Sequence, residues 1–276
     1  MTDIDLTAAQ MELEKLTHKN HAMTRLKNEF RNDSVISYIE AHEIPVEFCF
    51  DLMAQMVLHR RASISVLVGL LNKHFEKDNI QDSLQECADM IIKAGEAGLI
   101  DWDMISHTAY ISEDVSEEVK VELSKYQYPM PMLVEPKEVK ENRDSGYLTT
   151  KSSIILKHNH TEDDVCLDHI NRMNRVPLTI NHQTSWMVDN HWEGLDHKKD
   201  DETVEDYALR VQAFRKYTAT SYDIMEHLAV ANDRFYLTNK YDKRGRTYSQ
   251  GYHVNPQGAD WNKSVIELAD KELIAA

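Results

Sequence analysis

Residues 241–258 read Tyr-Asp-Lys-Arg-Gly-Arg-Thr-Tyr-Ser-Gln-Gly-Tyr-His-Val-Asn-Pro-Gln-Gly. The first eight place one acid, three cations, a glycine and two aromatic rings between strand-like segments. Gly245 admits a backbone conformation that a side chain would penalise, so the chain can turn close to a ligand. Arg244 and Arg246 carry planar forks matched to phosphate oxygens, and on a strand their spacing of two would aim them the same way. Asp242 suits the orienting of a guanidinium rather than catalysis. Tyr248 and Tyr252 offer rings on which a sugar or base can stack. This is equipment for holding a nucleic-acid backbone, although five such residues alone also describe an ordinary surface turn with salt bridges.

The elements that must position this run are mostly helical. Leu16, Met23, Leu26 and Phe30 recur at helical spacing. Pro45 opens a helix running to about His59. Ser63 caps another with Val66, Leu67, Leu70, Leu71 and Phe75 on one side. A further helix starts at Asp82, turns Leu84, Cys87, Met90, Ile91 and Ala94 inward, and stops at Gly98. The period then changes, and residues 99–112 predict a small hairpin turning near Asp103. A short helix over 116–125 leads into 128–137, where three prolines enforce an extended path. Residues 137–164 read as polar loop. Helix returns over 165–175, breaks at Pro177 and resumes over 180–190. A charged linker, 191–202, precedes a long amphipathic helix marked by Val204, Tyr207, Ala208, Val211, Phe214 and Tyr217 and reaching toward Leu228. The expected class is mainly α (α+β overall): a helical domain over 1–230, then the first β elements of a second domain over 231–276.

An apolar share of 42% is that of a globular chain. The longest apolar run, 64–71, is too short to cross a bilayer, and the acidic N-terminus predicts no signal or transit peptide. Cys49, Cys87 and Cys166 are odd in number and widely spaced, which fits buried free thiols in a reducing cytoplasm. The net charge of −16 argues against nucleic acid until it is mapped. Residues 231–263 carry +3 and residues 1–230 carry −17. An acidic body would repel a duplex, while the basic strip would attract a phosphate chain.

The pattern Asp-x-Arg-Gly-Arg-x-Tyr, followed by Asn255, Pro256, Gln257 and Gly258, resembles the single-subunit DNA-directed RNA polymerases of bacteriophages and mitochondria. Residues 130–137 and the pair Gly146-Tyr147 are similar to that family's proline-rich crossing and glycine-tyrosine turn. Looser similarity covers 170–189, 94–123 and 51–75. The resemblance implies that 1–230 is the N-terminal domain and 231–276 the start of a palm. It also implies that Asp242, Arg244, Gly245, Arg246 and Tyr248 contact template and RNA–DNA hybrid, with Asn255 to Gly258 in support.

The family polymerises with two palm aspartates that hold Mg²⁺, plus a lysine and a tyrosine on a fingers helix, all beyond the Asn-Pro-Gln-Gly element. Asp168-His169 and Asp196-His197 have the wrong order and place to stand in for the palm's His-Asp pair. The expectation is therefore a nucleotidyltransferase split between two chains. This chain would be the small subunit of a phage heterodimer in the host cytoplasm, without membrane contact. A larger subunit would bring palm, fingers and Mg²⁺; DNA template, RNA transcript and NTPs complete the partners. Val265, Ile266, Leu268 and Ile274 are expected to pack on that subunit. The family's strand-separating hairpin corresponds to 99–112, where Trp102 and Ile105 are the candidate wedges. Its brevity, and the lack of a basic cluster at Asn32, Asp33 and Ser34, imply helper factors for promoter opening. A rival reading is a non-enzymatic helical adaptor of a transcription complex, and a nuclease is a third.

Other motifs carry less. His158 and His160 with Asp163 and Asp164 suggest a polar loop more than a metal site. His182, His191 and His197 read as solvated, Trp186 and Trp192 as core anchors. No Gly-rich phosphate loop occurs.

Overall fold

The computed structural model describes residues 5–103, 105–112, 114–156, 159, 161–163 and 165–271. They form eleven α-helices and seven three-residue strands, a mainly helical chain with small antiparallel sheets. Two compact units divide it: residues 19–123, and residues of 1–18 joined with 124–276. The chain's first helix, α1 (Leu6–Leu16), belongs to the second of these.

In the 19–123 unit, α2 (Lys19–Phe30), α3 (Asp33–Ala41), α4 (Val46–His59), α5 (Ile64–Leu71) and α6 (Ile80–Glu96) build a helical core. Side chains of Asn32, Ser63 and Asn79 accept backbone N–H bonds at the starts of α3, α5 and α6, satisfying donors that a helix start leaves open. Gly98, at φ +71°, ends the turn after α6. Every residue of α4 from Phe48 to Val57 is buried, as befits a helix at the middle of a core. Asp51 lies within that run, and its carboxylate meets Lys27 at 2.6 Å, Lys73 at 3.0 Å and His74 at 2.7 Å. Strands β1 (Arg61–Ser63), β2 (Asp101–Asp103) and β3 (Thr108–Tyr110) pair antiparallel in the order β1-β3-β2. The unit closes with α7 (Glu117–Tyr126), which runs past residue 123.

Two details differ from the sequence reading. The sixth helix starts two residues before Asp82, because Asn79 rather than Asp82 supplies the cap. Val66, placed on the inward stripe, is exposed.

The other unit gathers α1, α8 (Leu167–Asn174), α9 (His182–Met187), α10 (Val204–Ala231) and α11 (Asp260–Val265). Strand β4 (Leu178–Ile180) pairs with β7 (Ile266–Leu268), and β5 (Asn239–Tyr241) with β6 (Thr247–Ser249). Leu13, Leu133, Ile224, Leu228, Phe235, Leu237, Val254 and Val265 share one core. Residues on either side of 230 therefore pack together. The helix α1 is held by polar contacts as well. Gln10 Oε1 accepts from Leu133 N at 2.8 Å. The buried Glu14 carboxylate accepts from the N–H groups of Leu148, Thr149 and Thr150 and from the Thr149 hydroxyl, all within 2.9 Å.

Several expectations are corrected here. Ile180, expected to open a helix, instead ends strand β4, and α9 begins only after Asn181, whose side chain caps it, and stops at Met187. Trp186 is 86% exposed and Trp192 49%, so neither anchors the core; Trp261 does. Val265 is wholly buried within its own unit, Ile266 is partly buried with its backbone paired to Ile180, and Leu268 is exposed. Ile274 lies outside the described residues. Cys49 and Cys87 are buried free thiols, but Cys166 is exposed. His182 bonds Asp233 at 2.9 Å and His191 meets Asp196 at 3.4 Å, so both rings are paired as well as wet. The long helix α10 buries Thr220, Ser221, Ile224, Met225 and Leu228, while Val204 and Leu209 in its first half are exposed. Among the described residues no helix is long and apolar enough to cross a membrane.

Candidate nucleic-acid interface

Strands β5 and β6 form a hairpin with Lys240 opposite Tyr248 and Tyr241 opposite Thr247. Its tip is the turn Asp242–Arg246. Asp242 N donates to Arg246 O and Gly245 N to Asp242 O, both at 3.0 Å, and Gly245 takes φ +77°. That left-handed value is where glycine is favoured.

The Asp242 carboxylate organises the turn. Its Oδ1 accepts from Arg244 N at 2.8 Å and Arg246 N at 2.9 Å. Its Oδ2 accepts from Arg246 Nε at 2.7 Å and Nη2 at 2.5 Å, and from the Tyr248 hydroxyl at 3.3 Å. Burial raises the carboxyl, but the Arg246 guanidinium and the two N–H groups outweigh it and hold it at about 2. Arg246 is therefore fixed along one edge of its fork, its guanidinium carbon 5.6 Å from the Tyr248 ring centre. The side chain is 58% exposed, and among the described residues its remaining N–H donors meet no acceptor. Arg244 and Lys243 are exposed beside it. The two arginines thus sit in a turn, one pinned and one free, rather than side by side on a strand.

Downstream residues brace the ribbon. Gln257 Nε2 donates to Thr247 O at 3.0 Å and its Oε1 accepts from Ser249 N at 2.9 Å, so one side-chain amide imitates a neighbouring strand along β6. Asn255 Nδ2 donates to Ser249 O and Gly251 O, and its Oδ1 accepts from Gln257 N. Pro256 shares the turn with Gln257. A Cβ on Gly258 would lie 3.0 Å from Asn255 O. The far side of β5 is paired too, with Tyr241 N donating to Ile154 O at 2.7 Å and Leu156 N to Tyr241 O at 2.9 Å. Tyr252 is half exposed but stacks on Tyr128, ring centres 3.9 Å apart, so one of its faces is taken.

Residues upstream of the motif complete the frame, and of these Asn174 carried no role in the sequence reading. Asn174 Oδ1 accepts from Asn239 N and Nδ2, fixing the start of β5. A Cβ on Gly146 would lie 2.8 Å from Pro136 Cβ and 2.9 Å from Thr238 Cγ2, so only glycine fits there. His169 on α8 bonds Thr247 Oγ1 at 3.0 Å and lies flat against Tyr241. An open cleft of about 980 Å³ runs between α8 and the turn. Arginine at 172, three residues after His169 on one helix face, was the available signal for this wall.

In the other unit, Ile105 projects from the β2–β3 tip at 92% exposure, in a turn closed by Asp103 bonds to Ile105 N and Ser106. Trp102 instead packs against α6: a Cβ on Gly95 would lie 3.1 Å from its ring. Of the two candidate wedges only Ile105 projects freely. Asn32 and Asp33 form the start of α3. His158, His160 and Asp164 lie outside the described residues, and among those described no three of His, Cys, Asp and Glu converge to hold a metal ion.

No protein-family model matches the sequence, and no curated protein matches it.

Proposed function

We propose that this chain is the small subunit of a split, single-subunit-type DNA-directed RNA polymerase, and that the Asp242–Arg246 turn grips template and RNA–DNA hybrid. The observation that carries the reading is Arg246 itself. A carboxylate fixes one edge of its guanidinium while the other donors stay exposed, which is preorganisation for phosphate. Bracing by Gln257 and Asn255 supports it, because a cation holds a phosphate in register only on a rigid element. The order of residues along the chain adds the likeness to the phage and mitochondrial enzymes.

Polymerisation by two metal ions needs a pair of carboxylates on Mg²⁺. Among the described residues no three of His, Cys, Asp and Glu converge to hold such an ion. In this proposal Mg²⁺, NTP binding and the fingers belong to a larger partner subunit, in the cytoplasm of a phage host. This chain contributes the positioning of the nucleic acid. Among the described residues, exposed Leu268 and partly buried Ile266 are available to the expected partner contact, and promoter opening falls to helper factors.

Arg246→Ala tests the reading in the assembled complex. The turn should persist, because Asp242 keeps its bonds to two backbone N–H groups. Losing one charge-assisted contact, about 1.5–3 kcal/mol, should lower RNA synthesis on a pre-melted template tenfold or more, with the heterodimer intact by gel filtration. Unchanged synthesis would overturn the assignment. Full activity of the larger subunit alone would favour the adaptor instead.

A further inference from the structure

The hairpin turn is one wall of the open cleft, and α8 with Asn159, Thr161, Asp163 and Val165 is the other. Cys166, His169, Arg172, Tyr241, Asp242 and Lys243 line it. Two of these are cations on opposite walls. In the same unit Arg143, Arg175, Arg210, Arg234 and Arg246 each meet a carboxylate. Arg172 and Lys243 meet none among the described residues; the bond shown for Arg172 is a long one, 3.5 Å from Nε to the carbonyl of Asp168 on its own helix. Arg215 and Arg244 of the same unit likewise meet no carboxylate among the described residues, so what sets Arg172 and Lys243 apart is that both line one cleft.

Among the described residues two acids line the cleft, and neither makes an ion pair with Arg172 or Lys243. Asp242 is committed to Arg246, and Asp163 bonds Thr161 on the rim. The walls are also tied together, because His169 reaches from α8 to Thr247 of β6 at 3.0 Å. The backbones that carry the two cations are thus linked through α8 and β6. The volume, about 980 Å³, is that of a small-ligand cleft. A few nucleotides of one strand fit such a space; a duplex does not.

We infer that Arg172 and Lys243 hold successive phosphates of a single nucleic-acid strand in this cleft, extending the path that begins at Arg244 and Arg246. The inference rests on the proposed role of the turn and adds a second wall to it. Phosphate is the group recognised, so RNA, DNA and free nucleotides share the chemistry, and the test separates them.

The full chain is titrated into fluorescein-labelled twelve-nucleotide oligo-U RNA and oligo-dT DNA, following anisotropy over a range of salt. Arg172 is exposed, so its variants should keep the wild-type circular dichroism melt. Arg172→Ala should weaken binding several-fold and make the plot of log affinity against log salt shallower by about 0.7, one phosphate contact on a single strand. Arg172→Lys should restore the slope. A larger loss with RNA than DNA assigns the strand as transcript, and equal losses assign any single strand. If Arg246→Ala weakens binding while Arg172→Ala changes neither affinity nor slope, the cleft inference fails and the role of the turn survives. If the wild-type chain binds neither oligonucleotide, both fail. Displacement of the strand by UTP in wild type but not in Arg172→Ala would make this a mononucleotide site and overturn the strand assignment.

Discussion

Gly245 and Asp242 divide the work of shaping the turn. The glycine supplies a left-handed backbone, and the carboxylate collects two N–H groups and a guanidinium. A Cβ on Gly245 would meet nothing within 4 Å, so substitution tests the backbone alone. Gly245→Ala should cost about 1–2 kcal/mol, and Gly245→Asn less, since asparagine tolerates this region. Urea melts of both variants check the order; equal costs would mean the turn relaxes out of the left-handed region. At this scale the motif was largely legible in sequence. Glycine between two arginines implies a tight turn, and an acid four residues before Arg246 lies within reach of its fork. The amide of Gln257 was not legible as a strand mimic, because nothing in its local spacing reveals which backbone it faces.

Among the elements, α1 shows how one polar side chain can dock a helix. Glu14 is buried and accepts four bonds from residues 148–150. Burial raises its carboxyl, and the bonds to Thr149, Leu148 and Thr150 more than offset this and leave it lowered. Glu14→Ala would strand three backbone donors and a hydroxyl. Each stranded group costs about 1–3 kcal/mol unless water enters, so the variant should lose about 3 kcal/mol or more in chemical denaturation. A loss under 1 kcal/mol would show that α1 is held by its apolar face alone. Helices with one strong apolar stripe, such as α6, could be read from periodicity. Those set by through-space partners could not. The three-residue strands β1 and β4 are too short to show alternation, and Trp186 shows that a large apolar side chain does not by itself mark the core.

For the molecule as a whole, the acidic surface conceals carboxylates that act as structural anchors. Burial raises Asp51, but Lys27, His74 and Lys73 hold it down at about 2. Asp242 is also held at about 2. Each is depressed below the unfolded value, ~4. Their stabilisation is complete above that value and is lost as pH falls through the range from about 4 to 2. Urea midpoints for wild type and Asp51→Asn should therefore differ by a constant amount from pH 7 to 5. The gap should narrow below about pH 4. A gap independent of pH down to 3 would mean that Asp51 owes little to its cations. The charge asymmetry along the chain was visible in composition. The pairing that makes some acids structural was not, because Lys27, Lys73 and His74 converge on Asp51 only through the packing of their helices.

The side-chain amide seated along β6, with residues 154–156 seated along β5, leaves the cationic ribbon sealed on both flanks. A two-stranded ribbon with bare margins invites foreign backbones to zip onto it. Here that invitation is withdrawn by the protein's own atoms, since both margins beside the arginine turn are occupied from within one chain.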